Sequence, residues 1–95
     1  MSDSDFTLPS AKTLQHAAKM SITEDKEIKL DYWLDSLKNE VMIGVKDNNE
    51  KLLVRSEDEY TSPIGKIYKT DNNYIIATEN SIYVVASTIP SKRIS

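Results

Sequence analysis

Tyr74-Ile75-Ile76-Ala77-Thr78-Glu79-Asn80-Ser81-Ile82-Tyr83-Val84-Val85-Ala86-Ser87 is the stretch on which the fold turns. Two apolar runs, residues 74–78 and 81–87, flank the tight turn Glu79-Asn80, which is the pattern of a β-hairpin. Side chains in a strand alternate between the two faces of the sheet. Here Ile75 and Ala77 alternate with Tyr74 and Ile76, and Ile82 and Val84 alternate with Tyr83 and Val85. A strand with one wet face would alternate apolar with polar, so both faces of this hairpin need cover.

More strands lie upstream. Residues 64–69 read as a strand that reaches residue 74 through Asp71-Asn72-Asn73. Val41, Ile43 and Val45 alternate with Met42 and Gly44. Asp47-Asn48-Asn49-Glu50 is turn material, and residues 51–55 return through Leu52-Leu53-Val54. Ser56-Glu57-Asp58-Glu59 is an acidic loop. Five or six short strands joined by tight turns make an antiparallel meander. Gly44 and Gly65 interrupt strands, as expected at bends or bulges; close approach of a ligand or a second backbone is the alternative.

Residues 26–41 carry two patterns. As a strand, Ile28, Leu30, Tyr32 and Leu34 alternate with Lys29, Asp31 and Trp33. As a helix, Leu30, Trp33, Leu34, Leu37 and Val41 form one stripe. The strand over 27–34 is preferred, because the Tyr-Trp pair is strand-prone and Asp35-Ser36 with Lys38-Asn39 supplies a polar connection. Further upstream, Pro9 and Ser10 open a helix with Ser10 as N-cap. Its face is Ala11, Leu14, Ala17 and Ala18, and Lys19 stands near its C-terminal end. Residues 1–8 read as a flexible polar tail, and 9–95 as a single domain. The expected fold is α+β: an N-terminal helix, then a small bent antiparallel meander or partly open β-barrel of five or six strands.

The chain has 95 residues, 39% hydrophobic and 28% charged, which is ordinary globular usage. At this size about 65% of the unfolded chain's surface is buried, enough for one modest core. No cysteine means no disulfide, iron–sulfur cluster, thiolate zinc site or cysteine nucleophile. One histidine excludes a multi-histidine metal site, and two glycines exclude a P-loop or dinucleotide fingerprint. Net charge is −3, split as −5 over residues 1–60 and +2 over 61–95. That balance lowers the expectation of duplex binding. No apolar run approaches a membrane span, and the acidic start is not a signal peptide. The expected setting is soluble and intracellular, with no membrane and no cofactor.

Each candidate for chemistry has an ordinary explanation beside it. His16 is flanked by Lys12 and Lys19 and reads as a surface helix histidine. Asp31 and Asp35 would share a face only on a helix. Glu57, Asp58 and Glu59 lack the ligand spacing of a calcium loop. Thr61-Ser62-Pro63 resembles a proline-directed phosphorylation site, but Pro63 more simply leads into the next strand. Lys66, Tyr68 and Lys69, with Lys92 and Arg93, form a candidate contact surface for nucleic acid or a protein partner. The two-faced hairpin points to self-association, as a homodimer through Tyr83, Val84 and Val85. A charge at whichever of Val84 or Val85 faces outward would then dissociate the dimer.

At Leu30-Asp31-Tyr32-Trp33, Ser56-Glu57-Asp58-Glu59-Tyr60-Thr61-Ser62-Pro63-Ile64 and Glu79-Asn80-Ser81-Ile82-Tyr83, the chain resembles short uncharacterised proteins of large nucleocytoplasmic DNA viruses. The resemblance spans roughly residues 9–95. It implies a viral origin and a role in the host cytoplasm or virion, and carries over no catalytic motif. The expected function is a non-enzymatic, self-associating structural or interaction module. The alternative is a nucleic-acid or chromatin-associated small β-barrel.

Overall fold

A computed structural model describes residues 8–94. The tail expected at 1–8 lies, but for Leu8, outside the described residues. The fold is α+β: helix α1 (Ala11–Glu24), strand β1 (Glu27–Lys29), helix α2 (Trp33–Leu37), then β2 (Met42–Val45), β3 (Lys51–Val54), β4 (Ile64–Thr70), β5 (Asn73–Thr78), β6 (Ser81–Ala86) and β7 (Ser91–Arg93). The strands form two sheets, ordered β1-β6-β5-β4 and β3-β2-β7, and no barrel closes.

The β5–β6 hairpin explains why there are two sheets. Ile75, Ala77, Ile82, Val84 and Ala86 pack on one face with Ala17 of α1 and Trp33 of α2. Ile76 and Val85 pack on the other with Ile43, Leu53, Tyr32, Val41 and Ile89. The two helices cover one face only, so the β2–β3 hairpin folds onto the second. The layers run helices, four-stranded sheet, three-stranded sheet, with the apolar hairpin in the middle.

Turn chemistry sets the strand pairing. Asp71 and Asn72 take positive φ values of 50° and 65° between the paired residues Thr70 and Asn73. A two-residue turn with both φ positive is the type I′ hairpin, which Asp and Asn tolerate. β4, β5 and β6 follow as an antiparallel meander. Gly65 sits at a register shift between Ile64 and Lys66, the bulge expected of it. The shift turns Ile64 toward the second core, while Lys66 faces the helix side.

Two parallel pairings depart from the expected meander: β1 beside β6 and β2 beside β7. β7 lies beyond the strand expected to be last. Buried Ile89 carries the chain across to the second sheet, and Pro90 O accepts from Ile43 N at 2.9 Å to start the new pairing.

Residues 27–34 divide between the two patterns. The strand stops at Lys29, and the chain turns and enters α2 at Trp33. β1 pairs with β6 only as far as Tyr83, which leaves the rest of that edge open. α2 covers it. Ser36 Oγ accepts from Ala86 N at 2.9 Å and donates to Trp33 O at 2.6 Å. Ser36→Ala leaves a buried N–H without a partner, and a loss of about 1–3 kcal/mol is expected. For a domain this size each kcal/mol lowers Tm by about 4–8 °C. An unchanged Tm would show that α2 does not hold that edge.

α1 starts as expected, with Ser10 Oγ accepting from Thr13 N at 3.1 Å. It runs on past Lys19 to Glu24, and of the expected stripe only Ala17 is buried, together with Thr13. Ala11 and Ala18 are exposed. The helix is rotated because Thr13 Oγ1 lies 2.9 Å from Asn73 Oδ1 and 3.1 Å from Thr70 O, polar contacts that no alanine makes. Among the described residues, no helix is long and apolar enough to cross a membrane.

Candidate functional site

Two concave surfaces lie on opposite sides of the layered structure. The first is a groove of about 650 Å³ on the outer face of the three-stranded sheet. Cross-strand partners share a face, and the pairs Met42–Val54 and Gly44–Leu52 lie on the face opposite Ile43 and Leu53, with Gly44 and Leu52 still buried there and Met42 and Val54 half-buried. Ile94 folds over this face. A Cβ at Gly44 would lie 2.6 Å from Ile94 Cδ1 and 3.0 Å from Val54 Cγ2. Gly44 therefore admits the chain's own Ile94, which is neither of the roles expected for it. Tyr60, 59% exposed, stands at the groove's edge.

Charge along this groove is polarised. Glu40 and Glu57 line the end where β2 begins and β3 finishes, while Lys46 and Lys92 line it toward the other end. Arg55 is neutralised at the acidic end. Its Nε lies 2.6 Å from Asp35 Oδ2, its Nη1 lies 3.5 Å from Glu59 Oε2, and its guanidinium sits 5.5 Å above the Tyr32 ring. Burial, then the neighbouring Tyr83 phenol and the Glu59 carboxylate, push the Tyr32 hydroxyl above the ordinary tyrosine range. The neutral phenol is the native form, so its contribution to stability is lost only as pH rises through that raised value.

The second surface, about 490 Å³, runs between α1 and the edge strand β4. Lys12, His16 and Met20, spaced four apart on α1, form one wall. Tyr68, Lys69 and Thr70 form the other, with Asp71 and Ile75 completing the lining. Ion and hydrogen-bond pairs tie the two elements at either end. Ser10 Oγ donates to Asp71 Oδ2 at 2.9 Å, and Lys66 Nζ lies 3.6 Å from Glu24 Oε2.

These positions divide the candidate residues. Tyr68 faces the α1–β4 groove and Lys66 stands at its end in an ion pair, whereas alternation along β4 turns the Lys69 side chain to the opposite face. Lys92 and Arg93 belong to β7 in the other sheet, where Arg93 Nη1 lies 3.9 Å from Asp47 Oδ1. The five do not form one surface. Tyr83, Val84 and Val85 are no surface either: Val84 and Val85 are 1% and 0% exposed, and the Tyr83 ring packs 5.3 Å from that of Tyr32. The hairpin's second face is covered by the chain's own second sheet, so it needs no second copy.

The other candidates take structural roles. α2 begins after Asp31, and Asp35 pairs with Arg55, so the two aspartates form no helical pair. Ser56 Oγ accepts from Asp58 N and Glu59 N, closing the acidic loop on itself. Among the described residues, no three His, Asp or Glu side chains are grouped to hold a metal ion. Thr61 is buried, with Oγ1 accepting from Leu53 N at 3.1 Å. Leu30, Leu34 and Leu37, members of the apolar stripe read for a helix here, are 41–47% exposed around α2.

Sequence reasoning missed Lys12 and Thr70 as site residues. The four-residue spacing of Lys12 and His16 was visible, but not the strand they would face. Compared with protein-family models, curated proteins and solved structures, the chain matches none.

Proposed function

We propose that this protein is a non-enzymatic interaction module that self-associates, with the outer faces of two three-stranded sheets packed together. The observation that carries this reading is the groove lined by the half-buried Met42 and Val54 and by Ile94, on a sheet face over which no further sheet or helix packs. In a two-fold dimer each patch meets its own copy. The groove's charge suits that arrangement. A two-fold axis lying in the interface and running across the strands sets Glu40 and Glu57 of one copy against Lys46 and Lys92 of the other. The lining offers contact area and charge, not a nucleophile held by a base. Absence of cysteine and the resemblance to giant-virus proteins support an intracellular setting, in host cytoplasm or virion.

Light scattering on the wild type at tens of micromolar should report about twice 10.8 kDa. Ile94→Lys and Tyr60→Ser, both at exposed positions, should yield folded monomers. Leu34→Lys should leave the dimer intact. A wild-type mass of 10.8 kDa would remove self-association. Dissociation by Leu34→Lys alone would move the interface to the leucines around α2.

A further inference from the structure

We propose that the groove between α1 and β4 binds a nucleotide unit, its base stacked on Tyr68 and its phosphate held between Lys12 and Thr70. This site is independent of the self-association face, which lies on the opposite side of the layers.

Four observations meet in this groove. Tyr68 is 49% exposed and offers an open ring face, although its neighbour in register, Ile75, is fully buried. An aromatic ring left open beside a cavity serves as a stacking platform for any base. Lys12, exposed on the α1 wall, has no ion-pair partner among the described residues, whereas Lys66 at the groove's end is paired with Glu24. An unpaired ammonium group across the groove from Tyr68 suits a phosphate.

Thr70 supplies the third observation. Its Oγ1 is buried and has no hydrogen-bond partner among the described residues. Strand alternation puts the Thr70 side chain on the same face as Tyr68, toward α1. A buried polar atom left unpaired is uncommon in a native structure and calls for a partner. A phosphate oxygen accepts the proton of such a hydroxyl.

Size is the fourth. About 490 Å³ falls within the range of small-ligand pockets, and the groove is open to solvent along its length. Asp71 also lines it, but its Oδ2 already accepts from Ser10 Oγ at 2.9 Å, where the α1 N-terminus partly offsets its charge. The phosphate therefore sits toward Lys12 and His16 rather than at the helix N-terminus.

The test is an NMR titration of the full chain with adenosine 5′-monophosphate, with a uridine octamer and with inorganic phosphate. Saturable amide shifts confined to residues 12–20 and 66–71 are expected with a nucleotide probe. Saturation by the monophosphate makes a free nucleotide the ligand. Saturation by the octamer alone makes a single strand the ligand.

Tyr68→Ala should weaken binding by about 5- to 150-fold, the span of a lost base–aromatic stack, with the melting temperature held. Lys12→Gln, on the exposed helix wall, should weaken binding and lower the octamer's log–log salt slope by about 0.7. Saturation by inorganic phosphate as tightly as by the nucleotides, insensitive to Tyr68→Ala, would overturn the stacking site. So would shifts on β2, β3 or β7, or no saturation by either nucleotide probe at millimolar concentration.

Discussion

Trp33→Ala is expected to lower stability by about 3–5 kcal/mol, the range of buried aromatic truncations. The ring is 4% exposed and packs with Ala17, Ile75, Ala77, Ile82, Val84 and Ala86, joining α2 to the helix face of the four-stranded sheet. Removing it opens a void where only two short helices cover that face. At about 4–8 °C per kcal/mol, Tm should fall by more than about 10 °C. Leu34→Ala, at the next position but 47% exposed, should change stability by no more than about 0.5 kcal/mol. Chemical denaturation of the two variants side by side reads the helical register of α2. A Trp33→Ala loss below 1 kcal/mol would show that the ring lies outside the core.

Val85→Asp should unfold the domain, not dissociate it. Val85 is fully buried between the sheets, packed with Ile43, Leu53, Ile76 and Ile89. Burying an unpaired charge belongs to the few mechanisms that cost more than about 4 kcal/mol. A 95-residue domain has about 5–14 kcal/mol in total. Far-UV circular dichroism should show a broad, non-cooperative transition or none at 25 °C. A cooperatively folded monomer with a wild-type Tm would mean that the β5–β6 hairpin is an interface after all.

These two residues mark the boundary of what the sequence alone determined. The hairpins, their turns, the Ser10 cap, the bulge at Gly65 and the demand for cover on both faces of β5–β6 are local matters. Alternation and turn chemistry are written in neighbouring residues, so they could be read directly. What supplied the cover was not local. A second copy and the chain's own second sheet satisfy the same apolar pattern, and only the placement of β2–β3 over Ile76 and Val85 chose between them.

The same holds for residues 27–37. Both periodicities were present. The open edge of β6, which needed Ser36 opposite Ala86 N, ended the strand at Lys29 and made the rest a helix. The candidate sites divided likewise. Lys66 and Tyr68 stayed on the helix-side face of β4, while alternation turned Lys69 to the other. Lys92 and Arg93 were carried to the other sheet when β7 paired with β2. Lys12 and Thr70, 58 residues apart, met only because Thr13 hydrogen-bonds to Asn73 and to the Thr70 carbonyl. Alternation fixes which side chains share a face of one strand, whereas which faces meet depends on long-range packing that no single segment encodes.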